Sequence, residues 1–209
     1  GLVGSEMCIR DRWGFCVTAD DEIWACGSGP MGWRKEDVVL GVPPANQVLV
    51  KFSTAGKVLE YVVIPKGDDG KEQPGELNWV HSIAVDSQGR VYASDRENNR
   101  IQIFDDQGTL LYTWNHLGAT QNIFITPDDQ VWVITHRDNV ENITYDTLAG
   151  RIMRVDIDTG AIVGAMESPG HWIDVADNGD IFIGSLTANV FRWYDAWMET
   201  EEAAQAERP

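Results

Sequence analysis

The sequence predicts an all-β protein in which short antiparallel sheets repeat along the chain. In residues 79–104, WVHSIAVDSQGRVYASDRENNRIQIF, tight polar turns separate short apolar stretches. The same strand–turn–strand pattern recurs with its turn residue at positions 21, 89, 129 and 179. Four short antiparallel strands joined by tight turns form one blade of a β-propeller. The pattern therefore predicts about four blades, which we expect to be an arc of a six-bladed ring.

The blade around Gly89 is the best defined. Its four strands are predicted at residues 81–86, 91–94, 100–104 and 109–114, with Ile83 and Val85 on one face of the first strand. Gly, Asn and Asp in the intervening turns tolerate the positive φ that tight turns require. This blade gives the register against which the other three are aligned.

The other repeats are separated by unequal distances, because polar inserts rich in Gly and Pro interrupt them. These inserts cover residues 27–45, 64–78 and 135–149. Constant strand pairs with variable inserts indicate blades that carry surface loops. The pattern therefore argues against a uniform solenoid.

The two ends of the chain depart from the repeat. Residues 1–12, GLVGSEMCIRDR, resemble translated adapter sequence of the kind found in metagenomic assemblies, so we expect them to be non-native. Propeller blades are predicted over residues 13–194, and residues 195–209 form an acidic tail. We expect the native protein to continue on the N-terminal side of this fragment, with further blades and a signal peptide.

Composition restricts the classes of partner. Asp and Glu total 33 against 16 Lys and Arg, which gives a net charge of −17, and 43% of the residues are hydrophobic. Phosphate backbones and anionic membranes attract basic proteins, so we expect neither nucleic-acid binding nor membrane insertion. The three cysteines, Cys8, Cys16 and Cys26, form no metal-binding spacing. A bridge between Cys16 and Cys26 on neighbouring strands is geometrically feasible, but buried thiols are the preferred interpretation.

Two histidines occupy the same position in different repeats. His81 and His171 each lie eight residues before a turn glycine, at the start of the innermost strand of a blade. Equivalent positions converge at the mouth of a propeller channel, so the two imidazoles could share a metal. The alternative is that each histidine caps its strand through a local hydrogen bond. Trp13 and Gln121 hold this position in the other blades, whereas His116 and His136 are interpreted as surface residues.

A cluster of charged residues follows the second strand of the blade around Gly89. Asp95 and Arg100 are interpreted as structural, because a turn aspartate accepts backbone N–H bonds and an arginine on the sheet pairs with it. Arg96 follows a strand that ends near the channel mouth. We expect its guanidinium to face the channel and to bind an anionic group.

Residues 81–108, HSIAVDSQGRVYASDRENNRIQIFDDQG, resemble an NHL repeat. Its pattern is a strand led by His or Pro, then D-x-x-G, then D-x-x-N-x-R-I-x-x-F. The match is strong in this blade and looser over the rest of residues 13–194. The resemblance implies a six-bladed propeller, often extracellular or periplasmic in bacteria, so we expect the native protein to be secreted or periplasmic.

Within that group the chain looks most like the peptidyl-α-hydroxyglycine α-amidating lyases. The resemblance implies a zinc ion on three histidines, of which His81 and His171 match two and the third would lie upstream. It also implies an active-site arginine at Arg96, and calcium as a second candidate cofactor. The family's calcium-binding acid is replaced by Trp172, and its catalytic tyrosine falls near Gly29, inside an insert.

These observations leave three functions open. The first is a scaffold that binds a small molecule or a peptide at the channel mouth. The second is a zinc-dependent lyase that splits a C-terminal hydroxyglycine into a peptide amide and glyoxylate. The third is a protein–protein platform, which would be favoured if the large inserts were apolar and ordered.

Overall fold

The computed structural model describes residues 12–28, 46–67, 72–135, 150–168, 170–184 and 190–193. These residues form fifteen strands and one short 3-10 turn, Arg96–Asn98. The strands are β1 Arg12–Val17, β2 Glu22–Ser28, β3 Gln47–Ser53, β4 Val58–Ile64, β5 Val80–Val85, β6 Val91–Asp95, β7 Arg100–Phe104, β8 Leu110–Trp114, β9 Thr120–Ile125, β10 Val131–Thr135, β11 Gly150–Val155, β12 Ile162–Ser168, β13 Trp172–Val175, β14 Ile181–Gly184 and β15 Val190–Trp193.

The strands form four antiparallel sheets, each built from consecutive strands. Blade one contains β1–β4, blade two β5–β8, blade three β9–β12, and blade four β13–β15 within the described residues. The first strands of blades one to four pack against one another in turn, so they surround a common axis. The predicted all-β propeller architecture with four blades is confirmed, and in blade two the predicted strand bounds agree with the structure to within one residue.

The turns that define the repeat have the backbone conformation that the sequence predicts. Gly89 and Gly179 have φ values of 78° and 85°, and Asp21 and Asp129 take the same place with φ values of 58° and 62°. Asp is among the few residues with a side chain that enter this region readily. The four blades therefore share one register, and equal positions in the repeat are structurally equivalent.

The core consists of strands buried between blades. Every residue of β6, β7 and β10 is buried, and the rings of Tyr92 and Trp114 pack at 5.6 Å between centroids. The prediction that β5 has one buried face is incomplete. Its first five residues are all buried, because the strand lies between the neighbouring blades as well as on its own sheet.

The insert at residues 64–78 differs from its prediction as a polar loop. Leu77 is completely buried against Ile64 and Val80, and the carbonyls of Gln73 and Glu76 accept hydrogen bonds from Arg100. Part of this insert therefore packs on blade two. The other inserts lie almost entirely outside the described residues, as do the adapter-like segment before Arg12, Cys8, His136 and the acidic tail.

No helix within the described ranges is long and apolar enough to cross a membrane.

The two described cysteines are free thiols; Cys26 is buried, as the preferred interpretation of the sequence expects, whereas Cys16 is partly buried. Burial raises the pKa of Cys16 to about 12 and raises that of Cys26 as well. Because the thiolate is the nucleophile, we expect both residues to resist alkylation by iodoacetamide at pH 8 until the protein is unfolded in urea. Peptide mass spectrometry before and after unfolding tests this. Rapid labelling of Cys26 in the folded protein would contradict it.

Candidate functional site

The innermost strands bring two histidines together at one end of the axis. The imidazole rings of His81 and His171 lie edge to face, with 4.9 Å between their centroids. Both residues are buried, with 3% and 7% of their surfaces exposed. The shared position in the repeat therefore corresponds to direct contact in space, although β5 and β13 belong to blades separated by one other blade.

The blade between them fixes the orientation of His81. Its Nδ1 lies 2.6 Å from the backbone carbonyl of Gln121 at the start of β9. Because a carbonyl only accepts hydrogen bonds, Nδ1 of the neutral ring carries the proton and Nε2 carries the lone pair. Metal-binding histidines are commonly held in this way, with the second nitrogen donating to a carbonyl.

Gln121 is a functional candidate whose role the sequence did not indicate. Only 1% of its surface is exposed, and neither its amide nitrogen nor its amide oxygen has a hydrogen-bond partner among the described residues. Buried amides are nearly always hydrogen-bonded, because removing them from water without a partner is unfavourable. The available signal was its position, eight residues before Asp129, where His81 and His171 stand in their own blades.

An axial groove continues from this end of the strands. It has a volume of about 460 Å³, and β1, β5, β9 and β13 supply its walls. Phe15, Phe124 and Trp172 are its aromatic residues, and Trp172 also packs against His171 at 4.3 Å between ring centroids. Polar groups at the strand starts are therefore followed by a mainly apolar groove.

Arg96 lies on the same side of blade two as His81. Asp95 pairs with Val80 across β5 and β6, so the 3-10 turn that follows lies beside the start of β5. The guanidinium of Arg96 lies over the ring of Trp79 at 5.9 Å, and its Nη1 is 3.5 Å from Glu97. Arg96 is thus a partly exposed cation near the start of β5, held by Trp79 and Glu97 of its own blade.

Asp95 and Arg100 have the structural role that the sequence indicates. Asp95 is completely buried and accepts hydrogen bonds from the backbone of Asn78, the amide of Asn98 and the guanidinium of Arg100. Burial raises the pKa of Asp95, and these hydrogen bonds offset part of the increase. His116 is exposed and contacts the carbonyl of Gly160, as expected of a surface residue.

The donor set decides which metals suit the site. Among the described residues, no three side chains of His, Cys, Asp or Glu are grouped closely enough to hold a metal ion. His81 and His171 supply two imidazoles, which suit zinc, whereas a catalytic zinc takes three protein ligands. Calcium prefers oxygen ligands, and the residue after His171 is Trp172, which is 45% exposed and has no oxygen in its side chain. The residues present thus fit zinc in part and do not fit calcium at this position.

Sequence comparison identifies one repeat in blade two. Residues 77–104 match the model of the NHL repeat. The chain is also 31% identical over 101 residues to human NHL repeat-containing protein 3, and 32% identical over the same length to the mouse protein. Each match covers 46% of this chain and 28% of the relative, so the chain spans well under two thirds of these proteins.

Structural comparison gives β-propellers of low sequence identity. The WD40 propeller domain of Doa1 matches with a TM-score of 0.53 at 15% identity, covering 88% of this chain and 51% of that one. A catalytically inactive virginiamycin B lyase from Staphylococcus aureus, with quinupristin, gives 0.51 at 14%, covering 89% and 56%. A candidate exported protein from Bacteroides fragilis gives 0.54 at 14%, covering 92% and 51%. At these identities the likeness concerns the fold.

Proposed function

We propose that the chain is part of a propeller scaffold that binds a small molecule or a peptide at the channel mouth. The buried amide of Gln121, which lacks a partner among the described residues, carries this proposal. Because both polar atoms are inaccessible to solvent, the Gln121 side chain would have to turn toward the channel mouth, where a ligand that offers both a hydrogen-bond donor and an acceptor, as a peptide group does, would satisfy the amide. The axial groove would receive an apolar side chain of the same ligand.

The substitution Gln121→Leu tests this function. It removes both hydrogen-bonding groups with little change in side-chain volume. We therefore expect the immobilised variant to retain roughly tenfold less peptide than the immobilised wild type, or less still. Stability should be unchanged or higher, because an amide without a partner is replaced by an apolar group. The probe is a mixture of hexapeptides randomised at every position, and the retained peptides are identified by mass spectrometry on the immobilised chain.

Gln88→Leu is the matched control, since Gln88 lies in the exposed turn at the other end of blade two. The proposal predicts that this variant retains the same peptides as the wild type. If Gln121→Leu also retains them, the channel mouth is not the binding site.

The second candidate is a zinc-dependent lyase acting on peptidyl-α-hydroxyglycine, and the contact between the two imidazoles favours it. His81 and His171 would hold the metal, which supplies Lewis-acid chemistry when bound. Arg96 would orient the substrate carboxylate. In the reaction the N–Cα bond breaks, the hydroxyl oxygen becomes the aldehyde oxygen of glyoxylate, and its proton passes to the amide nitrogen.

Zinc binding separates the two candidates. For a lyase we expect stoichiometric zinc, and we expect His81→Ala and His171→Ala each to weaken zinc binding by more than about tenfold. Arg96→Ala should keep the metal but raise KM for a hydroxyglycine peptide. Zinc is measured by mass spectrometry and by competition with a chelating dye, and glyoxylate is measured separately. Equal zinc content in the wild type and both histidine variants would exclude this candidate.

We further propose that the native protein is secreted or periplasmic. The resemblance to exported relatives of the NHL type supports this, together with the fold shared with the candidate exported protein from Bacteroides fragilis. Fractionation of the source cells, with detection by antibody, tests it. Recovery in the cytoplasmic fraction alone would contradict it.

A further inference from the structure

A second cavity lies between blades three and four, at the opposite end of the inner strands from the histidines. It has a volume of about 460 Å³ and is formed by the first turns of the two blades together with Trp132 and Arg154. β9 runs from the histidine end to Ile125, and β13 runs in the same way to Val175, so the turns that follow them lie at the far end. This crevice is therefore a different site from the channel mouth.

A contact that joins blades two and three is missing at this crevice. In blade two, the backbone N–H and hydroxyl of Ser87 both donate to the carboxylate of Asp129 in blade three. The equivalent residues are Pro127 in blade three and Gly179 in blade four. Proline has no N–H and no hydroxyl, and glycine has no carboxylate, so the pair cannot form this bond.

An ion pair that neutralises the equivalent cation in blade one is also missing. In blade one, the cation Lys51 lies over Trp24 and forms an ion pair with Glu22. In blade three, the strand pairing puts Arg154 opposite Trp132 in the same way, but the residue equivalent to Glu22 is the neutral Gln130. Arg154 forms no ion pair within the part of the chain that the structure describes.

The crevice between blades one and two lacks only one of these two interactions. It lacks the contact between turns, because Ala19 and Gly89 stand at the equivalent positions. Its cation is nevertheless neutralised by Glu22. Of the three crevices in the described structure, the one between blades three and four combines an open cavity with an arginine that forms no ion pair among the described residues.

We propose that this crevice binds a small zwitterion with an apolar side chain, of the amino-acid type. The guanidinium of Arg154 forms an ion pair with the carboxylate of the ligand. The carboxylates of Asp128 and Asp177, which line the crevice, face the ammonium group of the ligand. Trp132 and Ile181 supply the apolar wall. A zwitterion suits a chain of net charge −17 better than an anion does, because it has no net charge to be repelled.

The state of Asp128 is consistent with this role. Its carboxylate accepts hydrogen bonds from the hydroxyl of Thr126 and the amide of Gln130. These bonds lower the pKa of Asp128, and the charge of Arg154 adds to the effect. The acid therefore remains ionised at neutral pH, ready to accept from an ammonium group.

Calorimetry on the full chain at low salt, with L-phenylalanine as the probe, tests the proposal. We expect 3-phenylpropionate, which lacks the ammonium group, and 2-phenylethylamine, which lacks the carboxylate, each to bind more weakly than L-phenylalanine. Arg154→Gln should weaken L-phenylalanine binding by roughly tenfold or more, whereas Arg154→Lys should retain part of the affinity. Absence of binding, equal binding of the three probes, or unchanged binding by Arg154→Gln would overturn the proposal.

A variant that closes the crevice provides a test without altering Arg154. The double substitution Pro127→Ser with Gly179→Asp installs the contact found between blades two and three, and Asp129 shows that Asp accepts this backbone conformation. We expect it to abolish L-phenylalanine binding, while Pro127→Ser alone, which supplies no carboxylate to bond, leaves binding intact. Full binding by a folded double variant would also overturn the proposal, and thermal melting verifies the fold of each variant.

Discussion

We expect Asp95→Ala to lower the free energy of unfolding by about 3–5 kcal/mol. Asp95 is the completely buried centre of a charged network in blade two. Its Oδ1 accepts from the backbone of Asn78 at 2.7 Å, and its Oδ2 accepts from Arg100 and from the amide of Gln102. Removing the carboxylate leaves the buried guanidinium of Arg100 without its counter-charge, which is the costly way to break a buried ion pair.

The same substitution should also loosen the insert before blade two. Arg100 donates through Nη2 to the carbonyls of Gln73 and Glu76, at 3.1 and 2.9 Å, so the network attaches residues 72–78 to the sheet. We therefore expect faster hydrogen exchange at the backbone amide of Asn78 in the variant. Urea unfolding followed by tryptophan fluorescence measures the stability change.

Asp105→Ala is the matched control for this prediction. Asp105 is another turn aspartate of the same blade, where it accepts the backbone N–H groups of Gln107 and Thr109 near the surface. Because solvent can replace its carboxylate, the loss should be much smaller than for Asp95. Similar losses for the two variants would show that Asp95 contributes only as a turn residue.

The sequence was sufficient for those features that depend on short-range patterns. Strand bounds in blade two follow from alternation between turn residues, and the positive φ at Gly89 and Asp129 follows from turn chemistry. The meeting of His81 and His171 follows from the repeat, because equal register places equal positions around one axis. A repeat thus converts a local pattern into a long-range contact.

Features that depend on contacts between distant residues were not predictable. The burial of Leu77 requires the core of blade two to be in place, and the missing partner of Gln121 depends on every side chain around it. At the crevice next to Arg154 two contacts found elsewhere in the repeat are absent, and a single repeat does not show which contacts its neighbours make. No alternation or spacing within one repeat contains this information.

The substitution Gly150→Ala should destabilise the protein by about 3 kcal/mol. Gly150 begins β11 between β10 and β12, and a Cβ there would contact the carbonyl oxygen of Thr135 and lie 2.9 Å from that of Ser168. Both obstacles are backbone atoms of paired strands, so the sheet must separate to admit one methyl group.

Gly56→Ala is the control, because Gly56 has φ of 79° and no atom near its Cβ position. Its expected loss is roughly 1 kcal/mol from backbone strain alone. Equal free energies of unfolding for the two variants, measured in urea, would contradict this. They would show that the strands of blade three can move apart enough to accept a side chain at position 150.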